Sequence, residues 1–285
     1  MSTSKVIRSI FTKNQKKRLS LEFRKLLLYS QKKNNSLVYK FYKSNFDKAI
    51  QMFKEDENPN NQNFAQLFNK EDIHKLNLEL YNDITKRYFN WYKKHLVKSI
   101  PKQQDEAQVE YATDKFIQDK ENYIATGANI KTVQDTALVE LRSVLQAKLD
   151  DPEFMALGIE DRVKILTKDM DFKARWMAKR IIRTESTAAA NLGVKVAAEN
   201  IFGTDMLQKE WIATMDDRGR PAHQAYSGTI KPFNEPYEIN GNKMMFPSDM
   251  TMGAAAKEIV NCRCFSAPFV ATEYTEQQAL AIRKE

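Results

Sequence analysis

The sequence predicts an α+β protein, with a long, mostly helical N-terminal stem followed by a small α+β C-terminal domain with short antiparallel strands. Apolar residues recur at three- and four-residue steps through most of the first 200 residues, the pattern of amphipathic helices. Ten of the 16 Gly and Pro residues lie at or beyond position 203, where they favour turns. We therefore predict a basic N-terminal arm over 1–48, a helical stem region over 49–202 and a small domain over 203–285.

The overall composition is that of a globular protein. A chain of 285 residues with 42% apolar residues can form one large or two ordinary domains with a real core. No segment approaches the ~20 apolar residues that cross a bilayer, and the first residues lack the apolar stretch of a secretory signal. We expect neither secretion nor a membrane anchor.

The excess positive charge is confined to the first 48 residues. They hold 13 Lys and Arg residues against two acidic ones, a formal charge of +11, so the rest of the chain carries −3. Such a segment can bind a polyanion or an acidic protein surface, or remain a solvated tail. Aromatic residues interleave with the cations and could stack on unpaired bases. The nucleic-acid-binding candidates are Lys13, Lys16, Lys17, Arg18, Arg24, Lys25, Lys32 and Lys33.

Six helices follow from periodicity and from helix-breaking residues. The first runs from Ser36 to about Glu55, and the second is long, is capped by Asn69 and carries an apolar face as far as Trp91. Further helical patterns cover about 105–126, 130–149, 159–170 and 172–202. Gly203 is expected to close the last of them as a left-handed cap.

The small domain shows strand and turn signals. The segment KEWIATM alternates as a strand does, and Asn240-Gly241 between short apolar runs predicts a type I′ hairpin. Pro221 can open a short helix through His223 to Tyr226. CRCFSAPFVA is expected to form a closing strand.

The only two cysteines, Cys262 and Cys264, are separated by one residue. In a strand, the two-residue period would put both sulfurs on one face and Arg263 on the other. With His223, and with Asp216 or Asp217 nearby, they could form a four-ligand zinc site. Two alternatives remain open, namely that the cysteines are small packing residues, or that one is a nucleophile with His223 as its base.

The stretch RTESTAAANLG lies inside the last predicted helix. The run Ala188–Ala190 would let another backbone approach closely, and Glu185 and Asn191 would then be polar groups packed against the small domain. An exposed helical face with one tight contact is the alternative. No glycine-rich phosphate loop, Ser-His-Asp elbow or paired-carboxylate motif is present, so we predict no catalytic residues.

Four stretches in this order and spacing, RTESTAAANLG, WIATMDDRGRPAHQAYSG, FPSD and NCRC, make the chain resemble the phage Mu F-like family of minor head proteins. The resemblance spans about residues 180–270. The positions that match are Arg183, Glu185, Asn191, Trp211, Asp216, Arg218, His223, Gly228, Pro247, Asn261, Cys262, Arg263 and Cys264.

The resemblance implies a virion component of a tailed phage that associates with the portal inside the capsid after assembly in the host cytoplasm. It would assist head morphogenesis, and its partners would be the portal protein, the capsid interior and packaged double-stranded DNA. No obligatory cofactor is expected, and zinc is the metal that His223, Cys262 and Cys264 would take. The alternative from another class is a metal- or thiol-dependent hydrolase or nuclease that uses these three residues.

Overall fold

A computed structural model describes residues 6–7, 12–58, 64–96, 105–125, 133–205, 207–270 and 273–274. It confirms the predicted fold class, because long helices make up most of the described residues before 203 and short antiparallel strands follow them. No helix within the described ranges has both the length and the apolar character needed to cross a membrane. A two-residue strand, β1 (Val6–Ile7), precedes the helices and pairs with β7 (Glu273–Tyr274).

Helix α1 (Lys13–Glu55) is much longer than the predicted helix over 36–55. It begins at a capping box in which Thr12 Oγ1 accepts from the Gln15 backbone N–H and the Gln15 side chain accepts from the Thr12 N–H. Its first half buries Leu19, Phe23 and Leu27 in the helical core. Within the described residues, the segment predicted as an arm is therefore a core helix with a charged outer face.

The next helices form where breakers and caps predict them. A 3₁₀ turn (Phe64–Gln66) leads to α2 (Lys70–Leu96), and Asn69 Oδ1 accepts from the Asp72 N–H at 2.8 Å, which confirms Asn69 as the cap. Helices α3 (Asp105–Ala125), α4 (Val133–Leu149) and α5 (Pro152–Met155) follow. The predicted ends at 126 and at 130–132 lie outside the described residues.

Helix α6 (Ile159–Phe202) is one continuous helix, whereas the sequence predicted a break near residue 171. It ends at Gly203, whose N–H donates to the Glu199 carbonyl. Gly203 has φ 68° and ψ −166°, which lies outside the left-handed helical region but is a conformation essentially reserved for glycine. At Gly193, a Cβ would lie 2.4 Å from the Thr85 carbonyl oxygen, so the absent side chain is what lets α6 lie against α2.

The small domain is built on a three-stranded antiparallel sheet in the order β3-β2-β6: β2 (Leu207–Ile212), β3 (Ile230–Pro232) and β6 (Phe265–Val270). In its register Trp211 lies opposite Ser266 and Glu210 opposite Ile230. Strands β4 (Tyr237–Ile239) and β5 (Asn242–Met244) form the predicted hairpin, with φ positive at both Asn240 and Gly241 as a type I′ turn requires. Two short helices, α7 (Pro221–Ala225) and α8 (Ala256–Ile259), complete it.

Three apolar clusters form the interior of the described residues. The largest joins the stem helices α1 to α6 and extends to Phe265 of β6. A second lies inside the small domain around Trp211, Tyr237 and the two cysteines, and a third, small one packs Ala198 of α6 against Leu207 and Phe233. The two regions are packed together: the Phe23 ring of α1 stacks on Phe265 of β6, and the Tyr92 hydroxyl of α2 donates to the Pro268 carbonyl. The small domain therefore sits against the stem helices α1, α2 and α6.

Candidate metal centre

Three elements bring the candidate ligands together. His223 lies in α7, which Pro221 opens as predicted. Helix α8 is followed by a turn at Asn261, whose positive φ of 56° reverses the chain before Cys262 and Cys264 lead into β6. The NCRC segment (Asn261–Cys264) thus precedes the closing strand instead of belonging to it, which corrects the predicted strand boundary.

The predicted convergence of the two sulfurs is confirmed. The Sγ atoms of Cys262 and Cys264 each lie 3.6 Å from Nδ1 of His223. The three candidate ligand atoms lie within 4.8 Å of one another. The guanidinium of Arg263, the residue between the cysteines, instead bonds the Asp216 carboxylate. We call His223, Cys262 and Cys264 the Cys–His cluster.

A carboxylate fixes the other side of the His223 ring. Nε2 of His223 lies 2.9 Å from Oε2 of Glu258, and the second oxygen of Glu258 accepts from the Asn240 side-chain amide at 3.0 Å. An imidazole that bonds a carboxylate through one nitrogen presents its other nitrogen in a fixed direction. Sequence reasoning missed Glu258 and Asn240, because one lies in a short helix and the other in a hairpin turn, and no spacing rule links them to His223.

Burial and hydrogen bonding within the cluster shift the pKa values of its groups. Burial lowers the pKa of His223, but bonding to Cys262 and Glu258 outweighs it and leaves that pKa raised. The pKa of the Cys262 thiol is lowered by its hydrogen bonds with Cys264 and His223, against the opposing effect of burial. Burial raises the pKa of Glu258, yet bonds from Asn240 and His223 leave it lowered. The environment therefore favours an ionised Cys262.

Access to the cluster is narrow. Cys262, Cys264 and His223 are 2%, 5% and 1% exposed, respectively. The cavity beside them, lined also by Thr214, Gly219 and Arg220, has a volume of about 20 Å³. That is room for one water and none for a substrate. The geometry therefore does not favour the hydrolase or nuclease alternative, which needs a reacting group in contact with the sulfur or the imidazole.

Polar side chains of α6 hold the backbone of the NCRC segment. The Thr187 hydroxyl donates to the Cys262 carbonyl at 2.7 Å. The Asn191 amide, fully buried, donates to the carbonyls of Cys264 and Pro247 and accepts from the Ser266 N–H at 2.9 Å. Asn191 is therefore the polar contact with the small domain that the sequence predicted.

Asp216 is not positioned as a fourth ligand, contrary to one sequence expectation. Both its oxygens accept from the Arg263 guanidinium at 2.7 Å, and these bonds lower the pKa of Asp216 to about 2. The neighbouring Asp217 is exposed, as is Arg218, whose backbone N–H donates to Asp216. This loop is thus pinned to the residue between the two cysteines.

The other matched positions lie in different surroundings. Glu185 is buried and accepts from Lys120 and Tyr81 of the stem helices at 2.6 Å each, and it lines a cavity that small-domain residues such as Ile259 also line. Trp211 fills the small-domain core, and its carbonyl accepts from the N–H of Gly228, whose φ is +94°. Arg183 is exposed on α6.

The nucleic-acid-binding candidates divide into two groups. Lys16 donates to buried Glu210 of β2 at 2.6 Å, and Arg24 lies 3.8 Å from Asp216, so these two attach α1 to the small domain. Arg18 and Lys33 are paired with Glu22 and Asp83. The other four candidates are exposed, and within the described part of the chain they form no ion pair with an acidic group: Lys13, Lys17, Lys25 and Lys32.

Comparison with known protein families finds a match to part of the chain. Residues 156–267 match the family model described as Phage Mu protein F like protein. None of the curated proteins or solved structures that were compared matches the chain. The matched range runs from Ala156, at the end of α5, through α6 into β6, and it includes every matched position named above. The predicted resemblance is confirmed: the chain contains a phage Mu F-like region, residues 156–267, and this family indicates a phage head protein associated with the virion.

Proposed function

We propose that this protein is a structural minor head protein of a tailed phage, located inside the capsid beside the portal, where it assists head morphogenesis. The observation that supports this proposal most strongly is the family match to residues 156–267. The geometry supports a structural role, because the matched residues bond α6 to the NCRC segment and fill the domain core. The cavity at the Cys–His cluster is too small for a substrate.

A stripe on the outer face of α1 is the surface that fits a portal contact. Lys17, Leu21, Lys25, Leu28 and Lys32 follow one another at three- and four-residue steps, so they share one side of the helix. Leu21 and Leu28 are 46% and 67% exposed. Exposed leucines between lysines suit an acidic protein surface with an apolar centre. We call these five residues the lysine stripe.

Binding to portal rings tests this proposal. Purified full-length protein is mixed with portal rings from the same phage and analysed by native mass spectrometry or analytical ultracentrifugation. We expect binding that is lost when Lys17, Lys25 and Lys32 are all changed to Glu. The charge-matched control changes three exposed lysines elsewhere, Lys115, Lys168 and Lys179, to Glu and should retain binding. Wild-type protein that does not bind would contradict the portal proposal.

Contact with packaged DNA is a second proposal, which rests on the same exposed lysines. If Lys13, Lys17, Lys25 and Lys32 all touch phosphates, log affinity should fall against log salt with a slope of about −3.6, or about two decades between 50 and 200 mM. An acidic protein partner should show the shallower dependence of charge screening. Affinity for duplex DNA that does not change with salt would contradict this second proposal. Full affinity in the variant with Lys17, Lys25 and Lys32 changed to Glu would also contradict it, because these lysines would then not contact the phosphates.

A further inference from the structure

We propose that the Cys–His cluster binds one Zn²⁺ ion, with the sulfurs of Cys262 and Cys264 and Nδ1 of His223 as its protein ligands. The ion would join α7 to the NCRC segment and so close the small domain. This inference does not depend on the location of the protein in a phage head.

The distances fit tetrahedral zinc. Zinc lies about 2.3 Å from thiolate sulfur and about 2.0–2.1 Å from imidazole nitrogen, so tetrahedral angles put sulfur and nitrogen about 3.6 Å apart. Both Sγ–Nδ1 distances here are 3.6 Å. Two sulfurs on zinc would be about 3.8 Å apart, and in this structure all ligand atoms lie within 4.8 Å of one another. At most about 1 Å of side-chain adjustment completes the geometry.

The chemistry of the three side chains selects zinc. Two thiolates and an imidazole are the ligands that Zn²⁺ prefers over Mg²⁺ or Ca²⁺, which take oxygen. Two thiolates also balance the charge of the ion, and the remaining buried charge beside it, the Glu258 carboxylate, is hydrogen-bonded by His223 and Asn240. Arg263 adds no net charge beside it, because Asp216 pairs with its guanidinium.

Glu258 supplies the outer support that zinc-bound histidines usually have. With Nδ1 directed at the metal, Nε2–H donates to Glu258, which Asn240 holds in turn. A purely packing role accounts less well for this arrangement, because it would bury a histidine and a carboxylate, 1% and 3% exposed, only to support two small side chains.

We assign the fourth coordination position of the ion to a water molecule. Among the described residues, no further Cys, His, Asp or Glu belongs to the cluster. The cavity of about 20 Å³ next to it accommodates one water, which would complete four-coordination. Since a substrate does not fit there, we assign the ion a structural role.

The test uses the full chain, purified without chelators. Elemental analysis should find about one zinc per chain, and metal-free protein titrated with Co²⁺ should develop thiolate-to-cobalt charge-transfer absorption that saturates at one equivalent. Neither measurement requires a variant to fold. Less than a tenth of an equivalent of any transition metal, together with no charge-transfer band, would overturn the proposal.

Two variants locate the site. Cys264→Ser should abolish the cobalt band. Glu258→Gln, which removes no ligand, should keep the band and weaken zinc binding about 10- to 100-fold in a competition with a chromogenic chelator. As a control, Glu238→Gln changes an exposed residue of β4 and should leave the affinity unchanged. An unaltered band in Cys264→Ser would refute this ligand set, and wild-type affinity in Glu258→Gln would refute the orienting role of Glu258.

Discussion

The stem and the small domain achieve their packing by different means. In the stem, long helices bury continuous rows of large side chains, with Phe23, Tyr42, Phe46 and Tyr88 at or near zero exposure. In the small domain, short strands and turns leave a small apolar cluster, and two buried polar side chains of the adjoining stem helix α6, Asn191 and Thr187, fix the loop backbone. The stem should therefore be sensitive to volume and the small domain to the loss of single hydrogen-bonding groups.

The largest expected effect is at Asn191. Asn191→Ala removes four hydrogen bonds and leaves the Ser266 N–H and the Cys264 carbonyl buried without this partner. We expect a loss of about 3 kcal/mol in unfolding free energy, measured by chemical denaturation. Asn90→Ala, an exposed asparagine on α2, is the control and should change stability by no more than about 0.5 kcal/mol. Similar small losses in both variants would show that polar anchoring does not dominate the small domain.

The corresponding test of the stem adds a methyl group at the contact between α2 and α6. In Gly193→Ala the new Cβ would lie 2.4 Å from the Thr85 carbonyl oxygen, so α2 and α6 must move apart. We expect a loss of about 2 kcal/mol. Gly158→Ala, where a Cβ meets nothing within 4 Å, should cost no more than about 1 kcal/mol, the penalty of an alanine at the N-cap of α6. If neither substitution changes stability in thermal denaturation, the contact between α2 and α6 has room for a methyl group, which would contradict this prediction.

Lys209 should make stability depend on pH. Burial lowers its pKa from 10.5 to about 7 in the folded protein, so between about pH 7 and 10.5 the unfolded chain holds a proton that the folded chain has lost. Stability should therefore rise with pH from 7 to 9, by about 1–3 kcal/mol. Lys209→Met should flatten this rise in denaturation series, and Lys243→Met, at an exposed position, should not. A wild-type profile that is flat or falling from pH 7 to 9 would contradict this prediction.

The smallest effect is expected at the ion pair between Asp216 and Arg263, which is partly exposed. The pKa of Asp216 is lowered, so its contribution is present above the unfolded pKa near 4 and is lost as pH falls toward about 2. Asp216→Asn should cost no more than about 1 kcal/mol at pH 7, and this difference should shrink between pH 4 and 2. A pH-independent difference would indicate that the amide disturbs packing instead.

The sequence predicted those features that depend on local spacing. The Asn69 cap, the Asn240-Gly241 hairpin and the short helix at Pro221 all form where turn and cap chemistry place them. The first half of α1 was missed, because lysines crowd around Leu19, Phe23 and Leu27, and because Ser30 and Asn34 occupy buried positions where periodicity expects apolar residues.

The site was predicted only in part for the same physical reason. The two-residue spacing of Cys262 and Cys264 indicated that the sulfurs converge, and His223 was the only histidine in the C-terminal half. The positions of Glu258 and Asp216 depend on long-range packing of α8 and of the loop after β2, which no local pattern encodes. Tertiary contacts, and not local sequence patterns, therefore decide which side chains surround the Cys–His cluster.

Mass spectrometry of phage particles tests the central claim most directly. Procapsids and mature virions of the phage that carries this gene would be purified and digested, and peptides of this chain quantified against those of the portal protein. We predict that the chain is present in procapsids, in few copies relative to the major capsid protein and in a constant ratio to the portal. Its absence from both particles would contradict the assignment as a head protein.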